Sequence, residues 1–171
     1  MFVRHPFERL LSAYRNKFLD TYNSVFQRRY GSRILKLFRP NLSKADIKAG
    51  KNVTFREFID FIVHVYDKKG NGESFDEHWQ LVHTLCTPCH MKYNYIGKFE
   101  TLIEDAKQVL KEIGVYDTVK FPANATHRYK SDTRDIMKTY YSQVPHSTLL
   151  NLYKIYEDHF LSFGYKIPDY R

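Results

Sequence analysis

Phe7, Leu10, Leu11, Tyr14 and Phe18 recur at i, i+3, i+4, i+7 and i+11, which lays one apolar stripe along a helix and leaves Arg9, Ser12 and Asn16 on the opposite side. Pro6 suits the first turn of that helix, where its missing N–H costs no hydrogen bond. The apolar pair Phe2-Val3 just ahead reads as the end of a buried strand. The chain is therefore expected to pass from strand to helix across Arg4 and His5.

Lys36 to Lys51 is basic, contains Pro40 and Gly50, and is expected to be an irregular surface loop. Thr54-Phe55-Arg56-Glu57 has the capping-box pattern, and Phe55, Phe58, Ile59, Ile62 and Val63 form the apolar face of the helix it opens. Lys68-Lys69-Gly70-Asn71-Gly72 breaks the chain. A short strand is expected over Tyr93 to Ile96. After Gly97 comes a helix with Phe99, Leu102, Ile103, Ala106, Val109, Leu110 and Ile113 inward and Gly114 as its stop. Beyond a polar stretch holding Pro122, one more helix is expected near Asp132 to Tyr141. A last one starts at about Pro145, buries Leu149, Leu152, Tyr153, Tyr156, Phe160 and Phe163, and ends at Gly164. There is no internal repeat and no low-complexity segment.

Composition narrows the class. A chain of 171 residues that is 43% hydrophobic and 16% aromatic can bury a core and is most simply one domain, 1–171. It contains no run of about eighteen apolar residues and no basic-then-apolar leader. The formal charge of +8 is unevenly placed: Met1 to Lys51 holds 12 of the 27 Lys and Arg but only 3 of the 19 Asp and Glu, leaving 15 against 16 for the rest. Such a basic block favours an anionic or phosphate-rich ligand through its summed field.

That charge gives the strand-helix joint a chemical reading. A helix start directs backbone N–H groups outward, and the macrodipole there favours an anion. Arg4 at the strand exit, with Arg9 and Ser12 off the core stripe, would let a guanidinium fork and a hydroxyl converge on one phosphate. An ordinary strand-helix joint with exposed arginines would carry the same residues.

The string Arg4-x-Pro6-x-x-Arg9-x-x-Ser12-Ala13-Tyr14-x-x-Lys17 closely resembles the 3′-phosphate-binding motif of Golgi carbohydrate sulfotransferases. Asp76-Glu77-His78-Trp79, then Cys86-Thr87-Pro88-Cys89, then Tyr93 to Leu102 with Glu104-Asp105, resemble the chondroitin 4-O-sulfotransferase and HNK-1 sulfotransferase group in that order. The ending Phe160-x-x-Phe163-Gly164-Tyr165 does so too. The resemblance covers nearly the whole chain. It implies an α/β fold, part of a P-loop-like sulfotransferase domain, mostly helical with a few short parallel strands. It also implies a donor co-substrate, 3′-phosphoadenosine-5′-phosphosulfate, whose 3′-phosphate Arg4 and Ser12 would hold. The segment between, His5, Pro6, Phe7, Glu8, Arg9, Leu10 and Leu11, would line the site. No metal is implied.

Two departures bear on that reading. The family's Lys-bearing 5′-phosphosulfate loop lies well upstream of the 3′-phosphate motif, and no such loop stands in this sequence. The chain is thus expected to be the C-terminal part of such a domain, with little activity alone. His5 stands where relatives often carry an acidic residue. The chemistry implied is in-line attack of a sugar hydroxyl on the sulfuryl group, with cationic stabilisation of the leaving nucleotide and a base for the hydroxyl proton. No leaving-group Lys can be named here. His78, in the Asp-Glu-His-Trp stretch, is the acid/base candidate, against a structural role in which His78 and Trp79 pack beneath the following segment.

Cys86 and Cys89 allow a redox pair, half of a zinc site with His83 and His90, or a small-ring disulfide. The resemblance implies an oxidising lumen and so a disulfide, between these two or with a cysteine upstream. It further implies the Golgi lumen, as a type II membrane protein whose anchor lies outside these residues. The sequons at Asn41, Asn52 and Asn124 fit that setting. The implied acceptor is a glycan, GalNAc in chondroitin or dermatan or a related glycosaminoglycan or glycoprotein chain, with no nucleic acid partner. The other class compatible with the charge is a non-catalytic basic module that binds anionic glycans or nucleic acid.

Overall fold

A computed structural model describes residues 1–19, 24–70, 72, 74–122 and 133–167, and for Thr133 and Arg134 the backbone alone. Strand β1 (Phe2–Val3) leads into α1 (Pro6–Tyr14), which continues as a π-helical turn, Arg15–Leu19. The short helix α2 (Ser24–Phe26) and a second π-helical turn, Gln27–Gly31, run into α3 (Ser32–Phe38). Helices α4 (Lys44–Ala49), α5 (Phe55–Lys69) and α6 (Val82–Leu85) precede β2 (Gly97–Lys98). A 3₁₀ turn, Phe99–Thr101, opens α7 (Leu102–Glu112), and α8 (Thr133–Tyr141) and α9 (His146–Ser162) complete the fold. This is the mostly helical α/β arrangement expected from the sequence, with one parallel pair of strands among the described residues.

The pair is β1 with β2, Phe2 opposite Gly97 and Val3 opposite Lys98. The second strand therefore lies just beyond the Tyr93–Ile96 expected for it. Gly97 explains the register: a Cβ there would lie 2.5 Å from the Phe2 ring. The Tyr95 carbonyl instead accepts from the Met1 ammonium at 2.8 Å.

Helix α5 is the central element, packing against α9, α1, α3 and α8. Its stripe extends the predicted one, with Phe55, Phe58, Ile59, Phe61, Ile62 and Val63 all buried. The α1 stripe is buried as the spacing requires. Phe7 stacks on Tyr141 with centroids 5.0 Å apart, and the Tyr141 hydroxyl donates to the Phe7 carbonyl at 2.7 Å. Tyr14 reaches across to donate to the Val53 carbonyl at 2.8 Å. The two tyrosines each fill core volume while giving their hydroxyl a backbone carbonyl to bond.

The expected loop Lys36–Lys51 is corrected at its start, where Lys36 to Phe38 belong to α3, and in its middle, where Lys44–Ala49 is helical. Ser43 caps it by accepting from the Asp46 N–H, and Gly50 ends it in the left-handed region at φ 63°. A Cβ on Gly50 would fall 1.8 Å from the Gln27 carbonyl oxygen, and one on Gly31 would fall 2.0 Å from the Gly50 oxygen. Backbone thus meets backbone where the second π-helical turn crosses the end of α4. Helix α7 forms where expected, but of its apolar positions only Ala106 is buried, and Ile113 is exposed.

The Thr54 capping box is complete. The Thr54 N–H donates to Glu57 Oε2 at 2.8 Å, and the Glu57 N–H donates to Thr54 Oγ1 at 3.2 Å. Arg39 grips the same carboxylate with two bonds, 2.6 and 2.7 Å. Burial alone would raise the Glu57 pKa, but the bonds from Arg39 and Thr54 outweigh it and hold the carboxyl below its ordinary value. Thr54→Ala is expected to cost about 1 kcal/mol of stability, read from urea unfolding. An unchanged midpoint would show that Arg39 alone fixes the helix start.

Candidate functional site

Arg4 lies in the joint between β1 and α1, ahead of the helix, while Glu8 and Ser12, four apart, share one side of α1. Arg4 Nε lies 3.6 Å from Glu8 Oε2, longer than a hydrogen bond, and its guanidinium sits 4.6 Å over the Phe99 ring. Burial raises the Glu8 pKa, with Arg4 pulling the other way. Ser12 is half-buried. At the start of the helix the His5 N–H donates to Glu100 Oε1 at 2.7 Å, while the Tyr165 hydroxyl donates to Oε2 at 2.9 Å. Carboxylates therefore already stand at the two places where the joint presents positive potential, the Arg4 fork and the helix start.

The other residues of the motif divide by direction. Pro6, Phe7, Leu10 and Leu11 are buried and position the backbone. The His5 ring packs edge-on against Phe160 and Tyr165, at 5.2 and 5.3 Å, with Nε2 3.1 Å from the Lys166 carbonyl oxygen. Arg9 donates from Nε to the His78 carbonyl at 3.2 Å and from Nη2 to the Gln80 carbonyl. Tyr156 donates to the carbonyl between them, that of Trp79. Three successive carbonyls are thus held from below by α1 and α9.

This clamp sets the position of His78. Its Nδ1 is 2.6 Å from Asp76 Oδ1, and the other carboxylate oxygen accepts from the Tyr30 hydroxyl at 2.9 Å. Burial would raise the Asp76 pKa, but hydrogen bonds from the His78 ring, the His78 N–H and Tyr30 hold it below the ordinary range. The His78 ring is half-buried, edge-on to Phe26 at 5.3 Å, while Trp79 is fully buried. An imidazole fixed by a carboxylate at Nδ1 can exchange a proton at Nε2. Neither Tyr30 nor the pairing of Asp76 with His78 was expected from the sequence. The two-residue spacing was the visible signal, but only the fold brings Tyr30 to it.

Cys86 and Cys89 both carry free thiols, so the disulfide between these two is not formed. Among the described residues no group of three or more His, Cys, Asp or Glu could hold a metal ion. Asn41 and Asn52 are exposed, and Asn124 lies outside the described residues.

His159, on α9, is buried within the same region, its ring 5.0 Å from that of Phe163. Burial first, then the charges of Arg9 and His5, push its pKa down to about 4 from an ordinary 6.5. The unfolded chain therefore takes up this proton at higher pH than the folded one. The contribution to stability is full above about pH 6.5 and is lost as pH falls toward 4. Thermal unfolding from pH 7.5 to 4 is expected to show that loss, and His159→Phe to make it smaller. Glu57 and Asp76 act with the same sign only at lower pH, whereas His5, whose pKa burial also lowers, adds to the loss in the same window, so the variant is expected to reduce the loss rather than abolish it. An unchanged profile in the variant would exclude the imidazole as its source.

A family model described as "Sulfotransferase family" matches residues 1–166. The chain is similar to carbohydrate sulfotransferase 11 of Rattus norvegicus, 42% identical over 173 residues, covering 99% of this chain and 47% of the relative. It is similar to carbohydrate sulfotransferase 14 of Danio rerio at 38% identity, covering 99% of this chain and 44% of the relative. Carbohydrate sulfotransferase 9 of Homo sapiens is 37% identical, with 98% and 37% covered. The chain thus spans about half the length, or less, of these curated relatives. No solved structure matches.

Proposed function

The chain belongs to the sulfotransferase family, and from that premise we propose that it contributes the 3′-phosphate site and the acceptor side of an enzyme that moves a sulfuryl group from 3′-phosphoadenosine-5′-phosphosulfate to a glycan hydroxyl. The observation that supports this reading is the strand-to-helix joint itself, with Arg4 between β1 and α1 and Ser12 further along α1. The residues fit the nucleotide's phosphate because the same joint already holds carboxylates: Glu8 beside Arg4, Glu100 on the His5 N–H. A phosphate at Arg4 would compete with Glu8 for the guanidinium and gain the fork geometry that Arg offers an oxyanion.

The donor, when bound, supplies the sulfuryl group and a 5′-phosphate leaving group. This chain's residues would anchor and orient it: Arg4 and Ser12 on the phosphate, with the buried Pro6, Phe7, Leu10 and Leu11 setting the helix start. His78 would take the acceptor hydroxyl proton at Nε2, with Asp76 fixing the ring and Arg9 tying its backbone to the nucleotide motif. GalNAc in chondroitin or dermatan is the acceptor class that the resemblance favours. The Golgi lumen is the matching compartment, with attachment to the membrane from outside these residues. Among the described residues no helix is long and apolar enough to cross a membrane.

Titration calorimetry with 3′-phosphoadenosine-5′-phosphate tests the proposal. Saturable one-to-one binding is expected, with Ser12→Ala weakening it by about 1 kcal/mol through loss of one hydrogen bond. No binding, or binding that any polyanion displaces equally, would favour the generic basic module instead.

A further inference from the structure

Helices α3 and α5 and the 74–79 segment enclose an open cavity of about 480 Å³, a size suited to a small-molecule or oligosaccharide segment. Its walls are mainly apolar, drawn from Tyr30, Leu37, Phe61, Phe75 and Trp79. The charged groups lining it are all cations: Arg33 and Lys36 from α3, Lys68 and Lys69 from the end of α5. The Ser74 hydroxyl, also on the wall, is buried with no hydrogen-bond partner among the described residues. A site with an unmet hydroxyl and cations on two helices suits a ligand bearing several anions and further polar groups.

We propose that this cavity is a subsite for an acidic oligosaccharide, holding sugars that flank the one to be modified. The proposal rests on the glycan-acceptor reading above and adds where the acceptor binds. The apolar C–H faces of sugar rings would lie against the walls, with carboxylates or sulfate esters at Arg33, Lys36, Lys68 and Lys69. A single-headed amphiphile would leave most of these cations unused. The cavity also adjoins the proposed base: Tyr30 lines it and bonds Asp76, and Trp79 follows His78 directly. A chain seated there would run past His78.

Trp79 is the single tryptophan of the chain and lines the cavity, so its fluorescence reports occupancy. The full 171-residue chain is titrated with a chondroitin sulfate hexasaccharide, and in parallel with neutral maltohexaose, decanoate and a thymidine hexanucleotide. The expected result is a saturable change for the chondroitin hexasaccharide alone. Lys68→Glu with Lys69→Glu, both exposed positions, should weaken it roughly ten-fold or more. The milder Lys68→Gln with Lys69→Gln should weaken it less. Affinity for 3′-phosphoadenosine-5′-phosphate, measured on the same samples, should not change. Nucleotide binding without a saturable hexasaccharide response would overturn the subsite and leave the donor reading standing. A response to decanoate or the hexanucleotide as strong as that to chondroitin would overturn the glycan assignment. A hexasaccharide response untouched by either pair of variants would overturn the role of the lysines.

Discussion

Trp79→Ala is expected to lower the unfolding free energy by about 3–5 kcal/mol, the usual cost of removing a large buried aromatic ring. Trp79 is 1% exposed and meets Tyr30 edge-on at 4.9 Å and Phe58 at 5.4 Å, with Phe26 at 6.2 Å. Its neighbours cannot close the gap easily, because the segment is held by its backbone: Arg9 takes the carbonyls on either side and Tyr156 takes its own. The substitution therefore leaves a cavity rather than a collapsed core. For a domain whose total stability is of order 5–15 kcal/mol, such a loss consumes much of the margin. Urea unfolding followed by far-ultraviolet circular dichroism measures it. A loss under about 1 kcal/mol would show that Trp79 does not anchor the site's floor.

Arg4→Ala is expected to weaken binding of 3′-phosphoadenosine-5′-phosphate roughly 30-fold or more, about 2 kcal/mol, because a charge-assisted fork is lost and a phosphate is left partly unpaired. Arg4→Lys should recover only part of this, since a point charge lacks the planar fork. Glu8 makes the result informative. Removing Arg4 also strands a half-buried carboxylate whose pKa is already raised, so protein stability must be measured beside affinity. Arg56→Ala, an exposed cation on α5 paired with Asp60, serves as the control for unspecific charge loss. Equal weakening in both variants would point to a diffuse field rather than a phosphate site.

The helices were legible where a local pattern and a local stop coincide. The stripe from Phe7 to Phe18 marks α1, and Thr54 with Glu57 marks the start of α5. Gly114 and Gly164, both in the left-handed region, end α7 and α9. Helix α4 escaped because six residues with one large apolar side chain, Ile47, carry no period, although Ser43 and Gly50 punctuate it at both ends. The strand near Tyr93 was misplaced because its register depends on the Phe2 ring lying over Gly97, a contact between residues 95 apart in the chain. The same limit applies to the site. Arg4 and Ser12 announce themselves by a short local string that runs from the strand exit into one helix. The hold of Arg9 on the 78–80 carbonyls, the link from Tyr30 to Asp76, and the cavity between α3 and α5 are all products of folding, and no local pattern encodes them.

The central claim is that Arg4 reads a 3′-phosphate. The direct measurement is a cycle of four affinities, by calorimetry: 3′-phosphoadenosine-5′-phosphate and adenosine 5′-monophosphate, each against the unaltered chain and Arg4→Ala. The account predicts that the unaltered chain prefers the bisphosphate strongly and that most of this preference disappears in the variant, while affinity for the monophosphate barely moves. A preference that survives intact in Arg4→Ala would contradict it.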